Sequence, residues 1–185
     1  MDTDFNKRKA IGDMTEAIVQ RMIKSMPDWD CIEFGMENHI SELRKSLKSN
    51  NNPDSKMVRS MPDFIAINRK TQEVIFIDVK YRSFIDRRKK GEALYGFGYG
   101  RIKDYLEFWK DMKLIIVHPQ EPCFCVINIK DIEWHRHFHS RKNFENGRMQ
   151  EQWNFAAIQK PIKEIFPELT DESIKSYSEL VHGKK

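Results

Sequence analysis

The stretch that decides the fold is residues 61–82, which reads MPDFIAIN (61–68), RKTQ (69–72) and EVIFIDVKYR (73–82). Two runs rich in β-branched and aromatic residues flank a polar four-residue break, a pattern that predicts a β-hairpin. Side chains alternate along a strand, so one face of the second run carries Val74, Phe76, Asp78 and Lys80. The other face carries Ile75, Ile77, Val79 and Tyr81. A strand that is this apolar on both faces is expected to be covered on both.

The position of the turn predicts how the two runs pair. A turn centred on Lys70 and Thr71 sets a register with the pairs Ile67 with Val74, Ile65 with Phe76, and Asp63 with Asp78. Directly opposed residues have Cβ atoms about 5 Å apart, so two carboxylates at such a position repel each other. A divalent cation held by oxygen ligands would remove that repulsion. The hairpin therefore predicts a metal site at Asp63 and Asp78.

The composition is that of one globular domain. The chain has 185 residues, of which 39% are hydrophobic and 32% charged, and one domain is the default at this length. The net charge of +4 is compatible with a polyanionic partner. Three cysteines, Cys31, Cys123 and Cys125, make no disulfide framework and predict reduced thiols in a cytoplasmic protein. We see no signal peptide and no apolar run of transmembrane length, so no membrane partner is expected.

The first predicted helix covers residues 7–26. Its apolar residues recur at helical spacing, at Ile11, Met14, Ile18, Met22 and Met26. Glu16 lies at the edge of this stripe. It is either a solvated flank residue or a carboxylate aimed across the sheet edge at the metal site of the hairpin.

A strand over 29–35 and an insertion over 36–60 follow the first helix. The first half of the insertion, HISELRKSL (39–47), suits a helix, and its second half, KSNNNPDSK (48–56), suits a loop. The insertion is either a plain connector or a basic segment that touches substrate.

Basic and aromatic residues follow the hairpin. Arg82, Arg87, Arg88, Lys89 and Lys90 precede the glycine-rich stretch GEALYGFGYGR (91–101), which we predict to be a loop. Lysine and arginine interleaved with aromatic residues suit contact with phosphates and bases. The alternative is a solvated loop without a ligand.

The remaining elements complete an α/β pattern. A helix is predicted over 101–112, with Ile102, Tyr105, Leu106 and Trp109 on its apolar face, and strands over 113–118 and 123–129. This alternation predicts a mixed central sheet flanked by helices on both faces. His135 and His139 would share a helix face, and with Cys123 and Cys125 they leave a zinc site as a minor alternative. Thr170 is expected to cap a last helix that runs to Val181.

The acidic motif of the hairpin resembles that of the PD-(D/E)XK nuclease superfamily. Pro62-Asp63 on the first strand is followed fifteen positions later by Asp78-Val79-Lys80 on the second. Glu16 corresponds to the acidic residue that many members carry on their first core helix. The resemblance covers 7–129 and implies a restriction-endonuclease-like αβββαβ core, with 36–60 as an insertion. It implies a single nuclease domain over 1–185, in which 130–185 is a C-terminal extension.

The resemblance also implies a mechanism. Mg²⁺, or Mn²⁺ as a substitute, would be held by Asp63, Asp78, Glu16 and the Val79 carbonyl. Lys80 would orient the attacking water and stabilise charge on the scissile phosphate. Further residues expected to contact nucleic acid are Arg82, Arg87, Arg88, Lys89, Lys90, Tyr99 and Arg101.

The substrate and the assembly stay open at this point. The implied activity is hydrolysis of DNA phosphodiester bonds, with junction or branched DNA as one substrate class and RNA as another that the motif allows. The C-terminal third could form a homodimer or a DNA-binding element. Two alternatives are an inactive nucleic-acid-binding module of the same fold and a protein-interaction domain in which the motif is incidental. Three cysteines do not suit an iron–sulfur branch of the family.

Overall fold

A computed structural model describes residues 3–35, 46–47, 50, 52–83, 86–87, 92–132, 143–145, 148–150 and 152–183. Its helices include α1 (Thr3–Lys24), α2 (Pro53–Arg59), α3 (Tyr99–Phe108) and α4 (Asp171–Val181). The strands before α3 are β1 (Trp29–Glu33), β2 (Phe64–Asn68), β3 (Val74–Tyr81), β4 (Asp86–Arg87) and β5 (Glu92–Gly98). Those after it are β6 (Lys113–Val117), β7 (Phe124–Asn128), β8 (Asn143–Glu145), β9 (Arg148–Gln150), β10 (Gln152–Ile158) and β11 (Lys160–Pro161). Short 3₁₀ turns lie at Ile129–Asp131 and Ile162–Glu164.

The main sheet has six strands in the order β1-β2-β3-β6-β7-β11. Its one parallel pair joins β3 to β6, and its other neighbours are antiparallel. A parallel pair requires a crossover connection, which here contains β4, β5 and α3. The predicted mixed sheet is confirmed, and β3 lies in its interior.

The predicted hairpin register is confirmed. Strands β2 and β3 pair Ile65 with Phe76 and Ile67 with Val74. The Asn68 side-chain oxygen accepts hydrogen bonds from the N–H groups of Lys70 at 2.9 Å and Thr71 at 3.0 Å. An asparagine that bonds its own turn in this way stabilises the reversal. The register of the hairpin is therefore held by the turn as well as by the ladder.

Both faces of β3 are covered, as predicted. Ile75, Ile77 and Val79 belong to an apolar cluster that residues of α1 and α4 complete. On the opposite face, Phe76 packs against a second cluster built largely from α3, β6 and β7. The chain is thus an α/β protein with helices on both faces of its mixed sheet. Asp78 and Lys80 share a strand face with Phe76, on the α3 side.

Two predicted loops are wrong in the structure. Residues 92–98 form strand β5, which pairs with β10 from Glu92 opposite Ile158 to Gly98 opposite Gln152 and with β4 on its other edge. Residues 53–56 belong to α2, because the Asn52 side chain accepts a hydrogen bond from the Ser55 N–H at 2.7 Å and Pro53 occupies the first helical turn.

Other predictions hold or fall outside the described residues. Thr170 caps α4 as expected, with its hydroxyl accepting from the Ser173 N–H at 3.1 Å. Helix α3 begins and ends earlier than the predicted 101–112. Most of the helix predicted over 39–47 and the segment with His135 and His139 lie outside the described residues. Within the described part of the chain, no helix is long and apolar enough to cross a membrane.

Candidate active site

Asp63 directly precedes β2 and contacts the end of β3. The ladder ends with Phe64 opposite Ile77, one position short of the predicted pairing of Asp63 with Asp78. Beyond it, the Asp63 carboxylate turns towards β3 and accepts a hydrogen bond from the Val79 N–H at 2.7 Å. The two aspartates therefore lie at the same end of the hairpin, as the register predicts.

The Lys80 ammonium lies between these acidic groups. Its Nζ is 2.7 Å from the Asp78 carboxylate and 3.6 Å from that of Asp63. It also donates a hydrogen bond to the Val79 carbonyl at 2.9 Å. Three of the four predicted metal ligands thus surround one cation, which here is the ammonium of the chain itself.

The Asp78 carboxylate is fully buried, and its ion-pair partner among the described residues is Lys80. The Asp78 side chain is 0% exposed, and both carboxylate oxygens are buried with no hydrogen-bond partner among the described residues. The Lys80 ammonium forms an ion pair with one of these oxygens at 2.7 Å. Buried carboxylates are normally paired and hydrogen-bonded. The oxygens of Asp78 have the chemistry of cation ligands whose coordination is incomplete.

The charged groups of the cluster shift one another's pKa values. Burial and then the Asp78 carboxylate raise the pKa of Asp63 to about 6, while Lys80 and the Val79 N–H oppose the rise. Burial alone would lower the pKa of Lys80, but Asp78 and Asp63 outweigh it and raise the pKa above its ordinary value. Lys80 is therefore held as an ammonium beside acids that repel each other.

Glu16 of α1 lies within electrostatic reach of the same cluster. Its side chain is half-buried. Burial raises its pKa to about 7, and the Asp63 and Asp78 carboxylates add to the rise while Lys80 opposes it. Its electrostatic neighbours are thus the residues that the sequence predicted for it.

The raised pKa of Glu16 predicts a pH-dependent stability. The native state keeps a proton that the unfolded state releases between the ordinary value of 4.5 and about 7. The free energy of unfolding of the metal-free protein should therefore fall as the pH rises through this window. The Tm of Glu16→Gln, measured in EDTA, should fall less steeply than that of the wild type, whereas Glu107→Gln on the exposed side of α3 should follow the wild type. Parallel curves for wild type and Glu16→Gln would contradict this placement of Glu16.

Two residues of α3 adjoin the site, and one of them was missed as a site residue. Tyr105 is fully buried and was predicted only as part of the apolar face of the helix. The Arg101 guanidinium lies 5.4 Å from its ring centroid and donates a hydrogen bond to the Arg59 carbonyl. Arg101, predicted to contact nucleic acid, thus connects α3 to the end of α2, close before Asp63. The Tyr105 hydroxyl has no hydrogen-bond partner among the described residues. This feature distinguishes Tyr105 from an ordinary core residue, and a sequence does not reveal it.

The predicted basic surface is described only in part. Arg82 donates a hydrogen bond to the Tyr81 carbonyl at 2.8 Å, and its guanidinium lies 4.4 Å from the ring centroid of the buried Phe97. Arg82 is therefore a contact between the main sheet and β5. Arg87 lies on β4. Three further basic residues lie outside the described part of the chain: Arg88, Lys89 and Lys90. The side chain of Tyr99 lies outside it as well.

The cysteine pair of the zinc alternative is buried. Cys31, Cys123 and Cys125 are buried in the core and form no disulfide. Burial raises the pKa of Cys123 to about 11, which disfavours the thiolate that zinc requires. Among the side chains that the structure describes, no group of three or more His, Cys, Asp or Glu residues is placed to hold a metal ion. At the hairpin the ammonium of Lys80 stands between the two aspartates instead.

Comparison with known proteins adds no family to this picture. No family model matches the chain, and no curated protein matches it either.

Proposed function

We propose that the protein is a Mg²⁺-dependent deoxyribonuclease of the PD-(D/E)XK type, which hydrolyses phosphodiester bonds at the end of the β2–β3 hairpin. The observation that carries this proposal is the fully buried Asp78 carboxylate, for which the described residues offer no polar partner besides the Lys80 ammonium at 2.7 Å. An isolated structural ion pair would account for Lys80 and Asp78. It would not account for the second acid, Asp63, or for the electrostatic coupling of Glu16 to both.

The donor set fits a small hard cation. Asp63, Asp78 and the Val79 carbonyl all contact the Lys80 ammonium and offer the oxygen ligands that Mg²⁺ prefers. Glu16 would complete the set from α1. A bound Mg²⁺ ion would lower the pKa of its bound water and neutralise charge on the scissile phosphate.

Lys80 has the transition-state role in this scheme. A cation on the carboxylates would compete with the ammonium for Asp78, and Lys80 would remain at the end of β3. There it can hold the attacking water and stabilise the negative charge that grows on the phosphate. Because Lys80 is partly exposed, at 22%, a substrate phosphate can approach it. The Val79 N–H meanwhile holds Asp63 in place.

The proposal is tested with a panel of labelled nucleic acids. Duplex, single-stranded and four-way-junction DNA and single-stranded RNA are incubated with the protein in Mg²⁺ or in EDTA. We expect cleavage of DNA in Mg²⁺ only, and the preferred member of the panel identifies the substrate class. Binding without cleavage of any substrate would instead identify an inactive nucleic-acid-binding module. Neither binding nor cleavage would refute the proposal altogether.

The basic run after β3 should contribute to DNA affinity. Replacement of Arg87, Arg88, Lys89 and Lys90 by Ala should weaken binding and flatten the dependence of log affinity on log salt. Each lost phosphate contact reduces the slope by about 0.9. Lys70→Ala, an exposed lysine in the hairpin turn at the opposite end of β3, is the control and should keep the wild-type slope. An unchanged slope in the fourfold variant would remove this run from the interface.

A further inference from the structure

The hydroxyl of Tyr105 is a buried donor that the chemistry above does not use. Tyr105 is 0% exposed, and its Oη has no hydrogen-bond partner among the described residues. A phenolic hydroxyl in the interior normally donates a hydrogen bond, and leaving it unmade is unfavourable. A buried donor of this kind is expected to have a hydrogen-bond acceptor nearby.

The complementary acceptor lies on the facing strand. Tyr105 of α3 belongs to the apolar cluster against which Phe76 packs, and Asp78 follows Phe76 on the same face of β3. Both oxygens of the Asp78 carboxylate are buried, and besides the ion pair with Lys80 neither has a hydrogen-bond partner among the described residues. Asp78 pairs with Leu114 of β6, which belongs to the same cluster as Tyr105, and burial and then the Asp78 charge raise the pKa of Tyr105 above its ordinary value. Among the described residues, a buried hydroxyl without an acceptor and a buried carboxylate paired with the Lys80 ammonium thus share one region.

We propose that Tyr105 is a positioning residue: when a cation takes the place of the Lys80 ammonium at Asp78, the Tyr105 hydroxyl donates its hydrogen to the Asp78 carboxylate, directly or through one water molecule, and so orients Asp78 as a Mg²⁺ ligand. The inference rests on the proposed function. When a cation displaces Lys80 from Asp78, this hydrogen bond keeps the carboxylate from rotating. Hydrogen bonds to metal-binding side chains from the surrounding residues commonly account for 10- to 100-fold in metal affinity.

The test compares Tyr105→Phe with the wild type and with Tyr177→Phe. Tyr177 is a half-buried tyrosine of α4 that packs against the other apolar cluster, so its variant loses a hydroxyl away from the site. Calorimetric titration with Mg²⁺ should give a Kd about 10- to 100-fold higher for Tyr105→Phe and an unchanged Kd for Tyr177→Phe. The Tm of metal-free Tyr105→Phe should equal or exceed that of the wild type, because the removed hydroxyl had no partner.

The outcomes separate this inference from the proposed function. A wild type that binds Mg²⁺ and a Tyr105→Phe variant that binds it equally well would overturn the inference and leave the proposed function standing. A lower metal-free Tm with an unchanged Kd would assign Tyr105 a purely structural role and also overturn it. A wild type that neither binds Mg²⁺ nor cleaves DNA would overturn both.

Discussion

Replacing Lys80 by Ala is expected to lower the single-turnover rate of DNA cleavage by about two to three orders of magnitude. Removal of one preorganised donor that stabilises transition-state charge commonly has this effect. DNA affinity should change little, because other basic residues hold the backbone. Lys80→Arg should not restore the rate, since the planar guanidinium is larger and presents its donors in a different geometry from the compact ammonium.

The same variant should bind Mg²⁺ at least as tightly as the wild type. In the structure the ammonium stands 2.7 Å from Asp78 and competes for its oxygens. Without it, the metal-free protein should be less stable, since breaking a buried ion pair costs about 3–5 kcal/mol, and added Mg²⁺ should raise the Tm more than it does in the wild type. The control is Lys130→Ala, which removes an exposed lysine that pairs with Asp111 at 3.2 Å. A near wild-type cleavage rate in Lys80→Ala would refute the proposed mechanism.

The second large effect is expected for Asp78→Asn. The substitution keeps the shape of the side chain and removes its charge, so Mg²⁺ should lose its most buried ligand. Metal-assisted stabilisation of the transition state is worth several kcal/mol, so the cleavage rate should fall by roughly three orders of magnitude or more. Calorimetry should detect no binding at millimolar Mg²⁺.

Asp30→Asn is the matched control for this variant. Asp30 lies on β1 and pairs with Arg69 at 3.3 Å, and its side chain is 48% exposed. The Asp30→Asn variant should bind Mg²⁺ and cleave DNA like the wild type. Wild-type Mg²⁺ affinity in Asp78→Asn would mean that the metal site has been assigned to the wrong residues.

The hairpin could be predicted because its signals are local. The polar break places the turn, the alternation fixes which residues share a face, and together they give the pairing of Ile65 with Phe76 that the structure has. The proximity of Asp63, Asp78 and Lys80 follows from this register. For Glu16, the edge of the amphipathic stripe left two alternatives, a solvated flank residue or a carboxylate directed at the metal site, and the family resemblance favoured the second.

Strand β5 could not be predicted, because its pairing is distant in sequence. A glycine-rich segment has weak strand propensity of its own, and β propensity depends strongly on the neighbouring strand. Here that neighbour is β10, which pairs Gly98 with Gln152 and Gly96 with Asn154. Helix α2 is a different case, since Asn52 and Pro53 are ordinary start signals that the run of polar residues concealed.

Tyr105 illustrates a further limit of sequence reasoning. Its helical spacing predicted a core position, and the core position is confirmed. Whether a buried hydroxyl finds a partner depends on the packing of α3 against β3, which no local pattern encodes. The positioning role proposed for Tyr105 therefore arises only from the three-dimensional structure.

The most direct test of the central claim is anomalous diffraction from crystals of the protein soaked in Mn²⁺. We predict an anomalous peak at the end of the hairpin, bound by the carboxylates of Asp63 and Asp78 and by the Val79 carbonyl, with the Lys80 ammonium moved away from Asp78. A soak at a Mn²⁺ concentration that supports cleavage in solution, but that leaves no peak there and Lys80 still paired with Asp78, would contradict the account.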